Sequence, residues 1–376
     1  MRSGKICSIA FFKMGIRKLL QRILTKPVLK LANKYSSKPD KQRVHEALSK
    51  LYQHIQKKPG KKGLIINIER AHQKIIIFSD LHKGNKKRSD DFAPAEQNYL
   101  AALDYYNREG YTLIMLGDSE ELWKFNLFTV QKHNHPSFDA EKKFLNRNAL
   151  IKVFGNHDIF WNNDPFAGAQ LLATYGQKVK IFEGVLLQHR KERKSIDILL
   201  THGHQGDGQS DGNKFSAWFV AKVWAPLQSY LELNINTPAF NDILKTEHNQ
   251  FMYEWSSQQE NLLLVTGHTH QPVFESMTHL ERLYKLLLIA RQQNDTQAIA
   301  KLQEEIAFRR QEYDHVSEDY LHLKPTYFNT GCCCFSDGDI TGIEIDNGAI
   351  RLIKWKKEHS GSKRSVLEKT SINTLL

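Results

Sequence analysis

The sequence predicts an α/β fold, and three observations carry that reading. Short apolar runs repeatedly stop at polar blocks. Ile75-Ile76-Ile77-Phe78 precedes Asp80 and His82, Tyr111 to Leu116 precedes Gly117-Asp118, and Leu150 to Phe154 precedes Gly155-Asn156-His157-Asp158. Ile196 to Leu200 precedes Thr201-His202-Gly203, and Leu262 to Val265 precedes Gly267-His268-Thr269-His270. Runs of this length, bounded by Gly and polar residues, read as buried strands. Between the first two, Phe92 to Arg108 reads as a helix, with Pro94 in its first turn and Gly110 just past its end. Strand-like sequence then resumes from Thr326 to Trp355.

Taken in order, residues 1–62 read as a basic, helical N-terminal extension that ends at the Lys-rich turn Lys57-Lys58-Pro59-Gly60-Lys61-Lys62. Leu64 to Glu69 and Lys74 to Ser79 are expected as successive strands across Arg70-Ala71-His72-Gln73. A main domain over 63–358 follows, and 359–376 reads as a C-terminal tail. A second sheet is expected from Lys180 to Leu187, Ser195 to Thr201, Leu262 to Thr266, Tyr327 to Asn329 and Ile340 to Ile345. Two insertions interrupt the domain. The first, 209–260, repeats Phe215, Trp218, Phe219, Trp224, Leu227 and Leu231 at helical spacing. It reads either as a core helix or as a cap, and its place after a polar loop favours a lid over a substrate. The second, 280–320, is a helical hairpin. Leu280, Leu283 and Leu287 form one stripe, Ile299, Leu302 and Ile306 the other, with Asn294-Asp295-Thr296 as turn and cap. Packing on the body and packing on a partner subunit both fit, and the oligomeric state stays open.

Composition narrows the class. A chain of 376 residues has ample room for a core. The net charge of +12 is uneven. Residues 1–62 hold 17 Lys and Arg against Asp40 and Glu46, whereas the remaining 314 hold 36 against 39. A near-neutral body argues against a nuclease, which would carry its basic stripe beside its active site. Four cysteines, Cys7 and the run Cys332-Cys333-Cys334, offer neither a Cys-x-x-Cys pair nor loop-closing disulfides. A buried strand segment and a reducing, cytoplasmic compartment are the expectations. Ile6 to Phe12 is too short for a signal peptide or a membrane span. Ile16, Leu19, Leu20, Ile23 and Leu24 recur among Arg17, Lys18, Arg22 and Lys26 as a basic amphipathic helix. Such a helix either packs on the body or lies on an anionic membrane surface.

In open sheets, ligands gather beyond the carboxyl ends of strands. Five loops opening there would bring Asp80, His82, Asp118, Asn156, His202, His268 and His270 into one pocket. One Asp-x-His or one buried His is an ordinary hydrogen-bonded feature. Five blocks in succession point to metal. Carboxylate, amide oxygen and imidazole without thiolate suit Mn, Fe or Zn. Two ions roughly 3.5–4 Å apart can share a hydroxide and clamp attacking and leaving oxygens, which is most of what a phosphoryl centre needs. The sequence offers no Gly-x-Ser-x-Gly and no Gly-x-x-x-x-Gly-Lys-Ser/Thr loop.

These blocks, spanning roughly Lys74 to His270, resemble the calcineurin-like metallophosphoesterases, whose ordered signature is Asp-x-His, Gly-Asp, Gly-Asn-His-Asp/Glu, His-Gly and Gly-His-x-His. The resemblance implies a four-layer α/β sandwich, two mixed sheets between helices, with Thr326 to Trp355 in the second sheet. It implies two divalent ions, one held by Asp80, His82, Asp118 and His270. The other would be held by Asp118, Asn156, His202 and His268, with Asp118 bridging. His157 matches the family's non-ligand histidine, which protonates the leaving oxygen or stabilises the phosphoryl group. Asp158 matches the acid that orients it. The implied activity is hydrolysis of a phosphate ester or pyrophosphate by a metal-bound hydroxide.

Gly117-Asp118-Ser119-Glu120-Glu121-Leu122-Trp123 is similar to the Gly-Asp-x-x-Glu-x-Trp segment of the UDP-2,3-diacylglucosamine diphosphatase branch, which also carries a helical cap after its His-Gly block. That branch has Arg where His157 stands, and shorter chains. Glu121 and Trp123 speak against phosphoprotein phosphatases, which carry Gly-Asp-x-x-Asp-Arg-Gly. His204, Gln205, Asp207 and Asp211 are expected to shape the loop around His202. The expected function is a two-metal phosphoesterase acting on a lipid-linked or nucleotide-sugar substrate. The alternatives are a nuclease and a non-catalytic metal-binding scaffold.

Overall fold

The computed structural model describes residues 40–68, 73–87, 90–191, 194–206, 242–310 and 322–375. Helix α1 (Lys41–Lys57) leads into β1 (Gly63–Asn67) and β2 (Ile75–Phe78), then α2 (Glu96–Arg108) and β3 (Thr112–Leu116). Helices α3 (Leu127–His133) and α4 (His135–Leu145) precede β4 (Leu150–Val153). Next come α5 (Phe160–Asn163), α6 (Ala167–Tyr175), β5 (Ile181–Phe182), β6 (Gly184–Lys191) and β7 (Lys194–Thr201). After α7 (Asp242–Ser257) and β8 (Leu262–Thr266) come α8 (His279–Gln292) and α9 (Thr296–Arg309). The chain finishes with β9 (Tyr327–Asn329), β10 (Ile340–Asp346), β11 (Ala349–Glu358) and β12 (Gly361–Ser371).

The strands form two mixed sheets, ordered β1-β6-β7-β8-β9 and β12-β11-β10-β2-β3-β4-β5. β2, β3, β4 and β5 are parallel neighbours, as are β7, β8 and β9. Alternation along β2 explains the layering. Ile75 and Ile77 join the core between the sheets, with Ile114, Val153, Ile198 and Val265. Ile76 and Phe78 point the other way, onto Tyr99, Leu103 and Tyr106 of α2. On the outer face of the five-stranded sheet, Leu186, Leu199 and Leu264 meet α1 and α7 through Leu48, Leu51, Met252 and Trp255. Helix, sheet, sheet, helix is the resulting order.

Several expectations shift. Ile340 to Ile345, expected in the second sheet, pairs with β2 instead, Ile343 opposite Ile77 and Ile345 opposite Ile75. β1, which the sequence assigned to neither sheet, runs parallel to β6. Adjacent apolar strands carry no mark of which sheet they join. Residues 181–182, expected with β6, form their own short strand beside β4.

Helix α1 falls within the stretch read as an extension, yet Val44, Leu48, Leu51 and Ile55 are buried in the body. Full burial of such side chains contributes about 1.5–3 kcal/mol each. The stretch read as a tail forms β12, paired along its length with β11 and tied in by Arg364, which donates to Glu344 at 2.7 Å. The amphipathic stretch 14–31 and the aromatic part of the first insertion, Phe215 to Leu231, lie outside the described residues. The end of that insertion forms α7, with Met252 and Trp255 buried. α8 and α9 pair through Leu280, Leu283, Leu287 and Ile306. A reciprocal cap between Thr278 and Glu281 starts α8. Among the described residues, no helix is long and apolar enough to cross a membrane.

Candidate metal centre

All five polar blocks leave the carboxyl ends of parallel strands: β2, β3 and β4 from one sheet, β7 and β8 from the other. The loops are laced together by backbone bonds. Asp80 N–H donates to Gly117 O at 3.1 Å, His82 N–H to Asp118 O at 2.9 Å, and Gly267 N–H to His202 O at 3.0 Å. Asp80, His82, Asp118, His268 and His270 all have positive φ, between 50° and 70°. Non-glycine residues there store of order 1–3 kcal/mol each, and such strain concentrates at functional sites. Gly117, at φ 88°, passes so near His202 that a Cβ would lie 2.6 Å from its ring. Only glycine permits that approach.

Each carboxylate divides its work. Asp80 Oδ2 accepts from His268 N–H at 2.9 Å and from the Ser79 hydroxyl. Its Oδ1 is buried with no hydrogen-bond partner, 3.2 Å from His270 Nε2 and 3.9 Å from His82 Nε2. Asp118 Oδ1 accepts from His157 N–H at 2.8 Å. Its Oδ2 faces His202 Nε2 at 3.2 Å and His82 Nε2 at 3.8 Å. Asn156 Oδ1 lies 3.2 Å from His202 Nε2. Asp80, His82 and Asp118 form one group able to hold a divalent ion, and Asp118, His202 and His268 form another. His202 Nδ1 donates to Leu116 O at 2.9 Å, which leaves Nε2 as the nitrogen facing the carboxylates. The unpartnered Asp80 oxygen, the strained backbones at these positions and an oxygen–imidazole donor set together fit divalent metal.

Charge sets the protonation of these groups. Burial pushes the His202 imidazole down, but the Asp118 and Asp80 carboxylates outweigh it and raise its pKa to about 9. His268 goes the other way, held well below the ordinary value by burial and by His248 and His202. His204 is lowered to about 3, chiefly by burial. Among the described residues, its Nδ1 and the Gln205 amide nitrogen are buried without hydrogen-bond partners, while Gln205 Oε1 accepts from Gly203 N–H at 3.1 Å. Asp207 and Asp211 lie outside the described residues.

The acid expected to orient His157 is a different one. Asp158 accepts from the backbone N–H of Gly155 at 2.6 Å, Ser119 at 2.7 Å and Asp118 at 3.3 Å, so it pins the loops after β3 and β4 together. The partner of His157 is Glu121, whose Oε1 lies 2.9 Å from Nδ1. Its Oε2 lies 3.3 Å from His82 Nδ1. The Trp123 ring stacks on His157, 4.2 Å between centroids and 19° from parallel. The sequence singled out Glu121 and Trp123 but not these contacts; their spacing of two would have put them on one side of an extended loop. Below them, Lys83, Lys152, Glu120 and Glu141 are wholly buried in one ion-pair network.

The chain matches the calcineurin-like phosphoesterase family over residues 73–272. It belongs to that family. Among solved structures, it is similar to a Vacuolar Protein Sorting 29 from Cryptosporidium parvum, at 10% identity over 80% of this chain and 98% of that one, with a TM-score of 0.31. It is also similar to a dimetal phosphatase from Danio rerio, at 10% identity over 80% of this chain and 99% of that one, with a TM-score of 0.30. No curated protein matches the sequence.

Proposed function

We propose that this calcineurin-like phosphoesterase holds two divalent ions and hydrolyses a phosphate ester or pyrophosphate bond. One observation carries the reading: Asp118 Oδ2 stands between His82 Nε2 at 3.8 Å and His202 Nε2 at 3.2 Å, shared by two donor groups. Asp80, His82, Asp118 and His270 would hold one ion, and Asp118, Asn156, His202 and His268 the other. When bound, the ions supply Lewis-acid charge neutralisation and an activated water. The donor set suits Mn²⁺, with Fe or Zn as competitors.

The chain's own residues do the rest. His157, with Nδ1 held by Glu121 and its ring face covered by Trp123, presents Nε2 to the leaving oxygen. Burial lowers its pKa, but the charges of Glu121 and Asp118 outweigh that and raise it, which favours the protonated ring that a proton donor needs. Lys124, 3.4 Å from Glu121 Oε2, adds positive charge at the same edge. The Gly-Asp-x-x-Glu-x-Trp segment supports a nucleotide-sugar or lipid-linked pyrophosphate as substrate. Mn²⁺-loaded protein should be assayed on p-nitrophenyl phosphate, bis-p-nitrophenyl phosphate, UDP-sugars and single-stranded DNA. Turnover of none of the first three would refute the reading, and a preference for DNA would replace it with a nuclease.

Peripheral membrane attachment belongs to the same proposal, through the basic residues before Asp40. Lys41–Lys57 is part of the packed body, so the deletion that tests it is 1–39. Loss of those residues should abolish salt-sensitive binding to anionic vesicles while sparing hydrolysis of a soluble ester. Full-length protein that ignores anionic vesicles at low salt would end the idea.

A further inference from the structure

Three of the proposed ligand histidines turn their second ring nitrogen to a partner. His202 Nδ1 has Leu116 O at 2.9 Å, and His82 Nδ1 has Glu121 Oε2 at 3.3 Å. For His270 the partner is a sulfur, Cys334 Sγ, 3.7 Å from Nδ1. The buried Cys332 side chain lies beside both, interacting with the Cys334 thiol and with the charge of the His270 imidazole. Cys333 points elsewhere, its Sγ 3.9 Å from Thr341 O. The loop carrying these thiols follows β9 and is fastened to the centre, because Cys333 N–H donates to Asp80 O at 3.2 Å. His82, His270 and Cys334 also form a group of close donor atoms. Two thiols therefore flank one face of the pocket, and a third beside them faces away.

We propose that Cys332 and Cys334 together position His270, so that retention of the ion beside it depends on the state of these two thiols. The inference rests on the two-metal reading above. With Nδ1 engaged by sulfur, His270 Nε2 is aimed at Asp80 Oδ1 and His82 Nε2, each 3.2 Å away. Losing such a partner of a ligand histidine typically costs about 10–100-fold in metal affinity. Among the partners of these three histidines, sulfur alone can be capped and uncapped by a mild reagent. Cys334 is half-buried and within reach of a small one, whereas Cys332 and Cys333 are buried.

Methyl methanethiosulfonate supplies the test. The Cys334 thiolate attacks its sulfenyl sulfur, a disulfide to the methylthio group forms, methanesulfinate leaves, and the thiol proton goes to solvent. Metal-free full-length protein is capped, the modified residue mapped by mass spectrometry, and Mn²⁺ affinity measured by titration calorimetry. Capping at Cys334 should weaken at least one Mn²⁺ site about 10-fold or more, and dithiothreitol should restore it. The double substitution C332A/C334A should show the same loss and no response to the reagent. C334S, whose hydroxyl still accepts a hydrogen bond, should keep most of the affinity, and C333A all of it. Unchanged affinity after confirmed capping of Cys334 overturns the inference, as does an equal loss in C333A. Should C332A/C334A fail to fold, the capped natural chain still decides. A natural chain that binds no Mn²⁺ at all would instead overturn the two-metal reading, and this inference with it.

Discussion

Glu121 holds His157 by its Nδ1 at 2.9 Å, and the same carboxylate reaches His82 at 3.3 Å. One acid thus serves the proposed proton donor and a proposed ligand together, so disturbing it should be felt in both functions.

His157→Ala should leave metal content unchanged and lower kcat by about 10²–10⁴-fold. The loss should shrink for p-nitrophenyl esters, whose leaving group needs little protonation. Glu121→Gln should act through the pKa. Its carboxylate is the largest influence raising the imidazole against burial, so its removal should let His157 lose its proton at lower pH. The alkaline limb of the rate profile should move down accordingly. A limb that stays in place would remove His157 as the donor.

Asp118→Asn should cost more bound metal than His268→Ala, because Asp118 Oδ2 faces both donor groups whereas His268 belongs to one. Elemental analysis after gel filtration reads this directly. Two ions retained by Asp118→Asn would contradict the shared carboxylate.

Metal binding should strengthen with pH up to about 9, the metal-free pKa of His202, because a proton must leave before Nε2 can bind an ion. The stability of the metal-free chain has the opposite trend. The raised folded-state pKa makes a contribution fully present below the ordinary value of about 6.5 and lost as pH climbs through about 9. Calorimetry at pH 7 in buffers of different ionisation enthalpy should show proton release with Mn²⁺. His202→Gln should abolish that share of the release; an unaltered proton count would refute the assignment.

Lys152→Met should destabilise the fold by about 3–5 kcal/mol, because it strips a partner from a buried carboxylate. Lys152 Nζ lies 2.7 Å from Glu120 Oε1 and both are wholly buried, beside the loop that carries Glu121. Burial raises the Glu120 carboxyl, but the Lys152 and Lys83 charges overcome that and hold it at about 2. Urea unfolding of the metal-free protein measures the loss. A change below about 1 kcal/mol would mean that water or Lys83 replaces the missing charge.

Sequence alone determined the strands, the loops and the chemical types at the site. Ile75–Phe78, Leu150–Val153 and Leu262–Thr266 are short apolar runs, and Asp80, Asn156 and His268 each sit where one stops. That pattern is local, so it survives without coordinates. Tertiary structure decided what local pattern cannot encode. Sheet membership was one such matter: β10, expected in the second sheet, pairs with β2 instead, because pairing depends on segments far away in the chain. The partner of His157 was another. Asp158 adjoins it in sequence, but the turn aims that carboxylate at backbone N–H groups, leaving Glu121, 36 residues earlier, to reach the ring. Cys332 and Cys334 looked like filler in a strand, and only the return of β9 beside β8 brings them against His270. Burial and periodicity act along the chain, whereas the direction of a hydrogen bond is fixed only when separate segments meet.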